Sequence, residues 1–141
     1  MTNNKKVISC TSIEQSRKLV ELGLDPDTCD MAWNKIDVNA YAASNITVEG
    51  WKFSIQGKVL NQIPNNCIPA WSLTKMLSLI PAIIIFNGEE ANFCLSYGDD
   101  KQPSAYYNNK LGNELIQFTG ENFQVAAYGL MCWLLENAYI K

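Results

Sequence analysis

The stretch that most constrains this chain is its last, Glu121 to Lys141, where Val125 to Leu135 form eleven consecutive residues with no charge, amide or hydroxyl except the Tyr128 phenol. At a helical rotation of about 100° per residue, the nearby polar residues Gln124, Glu136 and Asn137 point in widely different directions and define no single wet face. A helix that is apolar nearly all round must be enclosed. Lipid is a poor enclosure for it. Eleven residues rising about 1.5 Å each span roughly 16 Å, whereas a bilayer core is about 30 Å thick. A longer span would carry Gln124, Glu136 and Asn137 into or near the hydrocarbon, and no flanking basic cluster supplies an orientation signal. The expectation is a core helix and no membrane association.

The rest of the chain must supply the cover. At 141 residues and 48% hydrophobic content, residues 1–141 fit a single domain that buries about two-thirds of its unfolded surface. Thr11-Ser12-Ile13-Glu14 matches the S/T-x-x-E capping box and predicts a helix that runs to Gly23. Gly23, with positive φ, would let Leu24 fold back on Leu19. Asp25-Pro26 predicts a second short helix, through about Trp33, with aspartate as cap and proline in the first turn. Ser72 is a credible cap for a short central helix that Pro81 terminates, with Trp71 and Met76 as its hydrophobic staple.

Strand periodicity dominates elsewhere. Val7 to Cys10 reads as a short strand or an extended lead-in, and Trp51, Phe53 and Ile55 alternate with polar residues, with Tyr41 to Val48 as a hairpin partner across Glu49-Gly50. Gln62 to Asn66 reads as a surface loop. Ile83 to Phe86, the Asn92–Tyr97 alternation, Ser104 to Tyr107 and Glu114 to Phe118 are separated by short turns, the first at Asn87-Gly88, which forces neighbours to run antiparallel. The fold class expected is α+β: an antiparallel meander of three to five strands packed by the buried C-terminal helix, with two N-terminal helices and a short central one. Gly129, Ala126 and Ala127 suggest a close approach to the backbone of that last helix. If Trp133, Leu135 and Ile140 stayed uncovered, it would be the first candidate for a subunit interface.

Composition removes several chemistries. There is no histidine, so histidine acid–base catalysis, Ser-His and Cys-His nucleophiles and imidazole metal sites are all excluded. Cysteines at 10, 29, 67, 94 and 132 are too far apart for a zinc knuckle or a CxxC redox pair, and read as buried hydrophobes in a reducing interior. With that, and without a signal-peptide h-region after Lys5-Lys6, the expected location is cytoplasmic. A formal net charge of −3 without a basic block disfavours nucleic acid, whose affinity comes from neutralised phosphates.

Thr11-Ser12-Ile13-Glu14-Gln15-Ser16, Leu22-Gly23-Leu24-Asp25-Pro26, Ile68-Pro69-Ala70-Trp71-Ser72-Leu73 and the terminal Met131-Cys132-Trp133-Leu134-Leu135-Glu136-Asn137 together carry a resemblance. The chain resembles a group of small uncharacterised proteins carried by gut bacteria, their phages and mobile elements. The resemblance covers the two ends and the Pro-Ala-Trp-Ser segment, while 34–66 looks peculiar to this chain. It implies an accessory role and a cytoplasmic setting, and brings no catalytic residues with it.

Each candidate for chemistry has a plainer explanation. Asp99-Asp100 lacks the regular oxygen spacing of a calcium loop and reads, like Glu89-Glu90, as solvated turn acids, so no metal site is expected. Ser72-Leu73-Thr74-Lys75 matches S-x-x-K without companion motifs, and capping accounts for Ser72. No phosphate cradle and no cofactor motif occurs. The tryptophans lack the interleaved basic residues of a base-stacking platform. Tyr106, Tyr107 and Asn108 are the one aromatic-polar cluster left over, and are the candidate binding residues, because one of two adjacent strand tyrosines must face away from the core. The expected function is non-enzymatic: an accessory protein acting through a protein partner or self-association. The alternatives are a small-ligand protein or an enzyme using Tyr, Asp, Glu or Lys, and third a nucleic-acid-associated protein.

Overall fold

The first helix, α1 (Ile13–Glu21), starts one residue later than the capping pattern predicts. The cap is Ser12, whose Oγ accepts from Gln15 N at 3.1 Å while Gln15 Oε1 accepts from Ser12 N at 2.9 Å. Thr11 cannot serve, because its hydroxyl is buried and committed: it shares a 2.7 Å hydrogen bond with Ser16 Oγ and accepts from Trp71 N at 3.1 Å. The far end is as expected. Leu24 N donates to Leu19 O at 2.9 Å and Gly23 N to Val20 O at 3.0 Å, with Gly23 at φ 109°. These are the paired bonds of a Schellman ending, and Leu19 and Leu24 are both buried beneath it.

The computed structural model describes residues 10–37, 40–45, 47–49, 52–55, 58–60, 67–98 and 100–140. The predicted second helix is a single 3-10 turn, Pro26–Thr28, capped by Asp25, whose Oδ1 accepts from Asp27 N. Strand β1 (Met31–Asp37) follows where the helix was expected to run on. It lies between β2 (Ala40–Asn45) and β6 (Cys67–Ala70) in an antiparallel order β2-β1-β6, so backbone pairing on both sides overrides the local helix signal. Asp30 is drawn into the same arrangement: Oδ1 accepts from Ser72 N at 2.8 Å and Oδ2 from Ser72 Oγ at 2.5 Å.

Strands β3 (Thr47–Glu49), β4 (Lys52–Ile55) and β5 (Lys58–Leu60) form a second antiparallel sheet in chain order. The strand that contains Phe53 and Ile55 does pair antiparallel with the segment before it, but that arm is Thr47–Glu49; Tyr41 pairs with Lys35 of β1 instead, and Gly50 and Trp51 lie outside the described residues. Val7, Ile8 and Ser9, and the loop expected at Gln62 to Asn66, lie outside the described residues. Cys10 bridges to Ser72.

Helix α2 (Leu73–Leu79) is capped by Ser72, whose Oγ accepts from Lys75 N, and Ile80 is already extended before Pro81. Trp71 and Met76, the proposed staple, are both fully buried. The third sheet is the expected meander, of four strands: β7 (Ile83–Phe86), β8 (Glu89–Tyr97), β9 (Pro103–Asn108) and β10 (Glu114–Thr119), ordered β10-β9-β8-β7 and antiparallel throughout. Asn87 and Gly88, at φ 51° and 81°, make the two-residue β7–β8 turn, so Glu89 and Glu90 open β8 and are not part of it.

Helix α3 (Phe123–Glu136), capped by Asn122, closes the fold. No residue from Phe123 to Leu135 is exposed. Its cover comes from β9, β10, α2 and α1. A Cβ on Gly129 would lie 3.1 Å from the Phe118 ring, which is the close backbone approach that Gly129 and the alanines suggested. Trp133 lies between Phe86, edge-on at 5.7 Å, and Tyr139, stacked at 5.2 Å. Leu135 is buried and Ile140 packs on the core, so α3 presents no uncovered apolar face. The chain is α+β, an antiparallel sheet packed against a C-terminal helix. Among the described residues no helix is long and apolar enough to cross a membrane.

Candidate functional site

Strand alternation divides the three candidate binding residues between two faces. Tyr107 points into the core: it is fully buried, packs on Phe93 at 5.8 Å and donates its hydroxyl to Pro81 O at 2.6 Å. Burial raises its pKa well above the usual phenol range. Tyr106 and Asn108 face the other way, on the side of the sheet opposite α3. Asn108 is half-buried; its Nδ2 approaches Cys94 Sγ at 3.8 Å, and its Oδ1 is buried without a hydrogen-bond partner among the described residues.

Around Tyr106 the outer face forms a shallow depression of about 420 Å³. Register explains its composition. Tyr106 of β9 is opposite Cys94 on β8 and Gln117 on β10, and Ser96 lies two residues beyond Cys94 on the same face. The Tyr106 and Ser96 hydroxyls are hydrogen-bonded to each other at 2.7 Å. Gln117 Nε2 reaches Ser104 Oγ at 3.4 Å, and Glu114, placed by the bulge in β10, brings a carboxylate to the rim. The β8–β9 loop adds Gly98 and Asp100, whose Oδ1 accepts from Gln102 N at 3.1 Å. Asp100 is thus a turn acid, as expected, and Asp99 lies outside the described residues.

The second feature is the sheet's open edge. The Asn87-Gly88 turn closes on Phe86 and Glu89, and Phe93 N donates to Ala82 O at 2.9 Å. By antiparallel alternation, the peptide groups of Ile83 and Ile85 between these points face away from β8. Ile85 O accepts the Tyr139 hydroxyl at 3.1 Å; among the described residues the Ile83 N–H and C=O and the Ile85 N–H have no neighbouring strand. The side chains of Ile83 and Ile85, on the outer face, are 53% and 61% exposed. An apolar edge with unpaired backbone groups is a template for strand addition.

The nucleophile candidates are held in structural roles. Ser72 Oγ accepts from Lys75 N and donates to Asp30 Oδ2, so the S-x-x-K match coincides with a cap tied to β1. Burial, then the Asp30 charge, pushes the Cys10 thiol up to about 11, and burial pushes Cys29 up to about 12. Thiols held protonated are poor nucleophiles near neutral pH. Trp71 is fully buried and donates to Thr28 Oγ1, while Trp33 donates to Thr11 O. Among the described residues no three metal-binding side chains converge.

Residue reading missed Ser96, Glu114 and Gln117 as companions of Tyr106, and Ile83 and Ile85 as an edge. The alternation of each strand is visible in the sequence, but which residue stands opposite Tyr106 depends on register, and which strand is outermost depends on sheet order. Comparison with protein families, with curated protein sequences and with solved structures finds no match to this chain.

Proposed function

We propose that this chain is a non-enzymatic accessory protein that acts by binding an extended segment of another protein along β7. The observation that carries the reading is the edge itself: the outward Ile83 N–H and C=O and the Ile85 N–H meet no neighbouring strand among the described residues, and they are flanked by two isoleucine side chains that are each more than half exposed. Edge strands that are not used are commonly blunted by a charge, a proline or a covering element. Here Tyr139 blunts a single carbonyl. An incoming strand would gain main-chain hydrogen bonds along this edge and bury Ile83 and Ile85, which is how β-augmentation divides affinity from specificity.

The test is affinity capture from the native host with the wild type and with Ile85→Lys, a change at an exposed position that leaves the core intact. A defined set of proteins retained by the wild type and lost with Ile85→Lys supports the reading. Retention of the same set by both removes it. Light scattering on the purified protein separates a foreign partner from self-association through the same edge.

A further inference from the structure

We propose that the depression around Tyr106 is a binding site, separate from the β7 edge, for a small neutral polyhydroxylated ligand of monosaccharide size. Its volume, about 420 Å³, lies within the range of pockets that hold small molecules. Such pockets are mostly apolar, and this one is built chiefly from hydroxyls, an amide and carboxylates, so its ligand must be polar.

The distribution of donors and acceptors narrows the class. At the floor, Ser96 and Tyr106 share one hydroxyl proton between them at 2.7 Å, which leaves the second free to donate outward while both oxygens can still accept. The Gln117 amide has one N–H on Ser104 Oγ and retains its second N–H and its carbonyl. These groups are neutral and work in both directions, as do the hydroxyls of a polyol. At the rim, Glu114 and the uncommitted oxygen of Asp100 only accept, so each can take a hydroxyl proton from the ligand. No cationic side chain lines the depression among the described residues. Phosphate or carboxylate ligands would therefore meet two carboxylates without compensation. A cation would be held only by the two exposed rim acids, where bulk water screens the attraction to little value, and it would leave the floor unused.

One further feature suits a sugar. Gly98 keeps the loop side open, since a Cβ there would stand 3.1 Å from Asp100 Oδ1 and 3.3 Å from Ser104 Oγ.

The experiment is a titration of the intact chain, followed by backbone amide NMR, with glucose, galactose, mannose, N-acetylglucosamine and glycerol. Choline and inorganic phosphate serve as charged controls. The expected result is saturable shifts at Ser96, Tyr106 and Gln117 with at least one neutral compound, in the millimolar range. Tyr106→Phe and Gln117→Ala should each weaken that binding roughly fivefold or more, as for loss of one hydrogen bond, while amide dispersion stays that of the folded protein. No saturable shift with any neutral compound overturns the proposal. So does saturation by choline or phosphate alone, or binding that Tyr106→Phe and Gln117→Ala both leave unchanged. Ile85→Lys lies on another strand edge and should not alter the titration, which keeps this test independent of the strand-addition reading.

Discussion

Ala138 ends α3 in the left-handed region, at φ 63°, where the following bonds, Tyr139 N to Leu134 O at 2.8 Å and Ala138 N to Leu135 O at 3.2 Å, form the same Schellman pair that Gly23 makes after α1. An L-residue strains there and glycine does not, so Ala138→Gly is expected to raise stability by about 0.5–1 kcal/mol. A shift of the urea midpoint upward with an unchanged slope would show it. Of these two endings only the first was legible in the sequence: Leu22-Gly23-Leu24 announces itself, whereas nothing in Asn137-Ala138-Tyr139 does, because the stacking of Tyr139 on Trp133 holds the turn in place of glycine. Thr11 teaches a related lesson. Its hydroxyl is buried between Ser16 and Trp71 N, so Thr11→Val should cost on the order of 2 kcal/mol by leaving buried polar groups unpaired, while Thr11→Ser keeps the bonds. Cys10 and Cys29 contribute to the alkaline limit. Their folded pKa values, about 11 and about 12, lie above the 9.0 of an ordinary thiol. Between those values the unfolded chain holds fewer protons than the folded one, so stability is level below about pH 9 and falls as pH rises beyond it. Urea midpoints at about pH 8 and about pH 10 should show that decline, and Cys29→Ala should lessen it.

Among the elements, the meander was readable because its signals are local: two-residue periodicity, an Asn-Gly turn and short loops that leave adjacent strands no choice but to pair. The β2-β1-β6 sheet was not. Its central strand begins at Met31 after a proline-initiated turn that looks helical, and its partner β6 contains Pro69, which argues against a strand unless the strand is an edge. β6 is an edge, and its register with β1 spans residues far apart in the chain, information that no window of sequence contains. Helix α3 was legible as a buried element because its apolar run excluded a wet face. Its approach to the sheet depends on small residues at two levels. Gly129 admits the Phe118 ring, and Gly120, just before the helix, has no room at all: a Cβ there would stand 2.7 Å from Cβ and Cγ1 of Val125. Because Val125 is β-branched and stiff within the first turn of α3, it cannot swing aside. Gly120→Ala should therefore destabilise by about 1–3 kcal/mol, a loss that thermal melts would register as a lower Tm.

At the scale of the whole molecule, protection from exchange should follow enclosure. Strand β9 is paired on both sides and covered by α3, and Ala105 and Tyr107 are fully buried, so their amides should exchange only through the largest openings. Strand β7 belongs to the same sheet but is paired on one side. The amide of Ile84 faces β8 and should be protected, whereas those of Ile83 and Ile85 face outward and should exchange quickly. This alternation within three consecutive isoleucines distinguishes an ordered open edge from a frayed strand, in which all three would exchange at similar rates. It also gives the proposed function a reading that needs no chemical change to the protein. A partner added as a strand would slow exchange at Ile83 and Ile85 and leave Ile84 as it was, because only the outward peptide groups acquire new hydrogen bonds. A partner that docked elsewhere would leave the fast pair fast. Hydrogen exchange resolved by NMR, with and without a captured partner, therefore tests both the geometry of the edge and its use, and uniform rates across Ile83, Ile84 and Ile85 in the free protein would count against both.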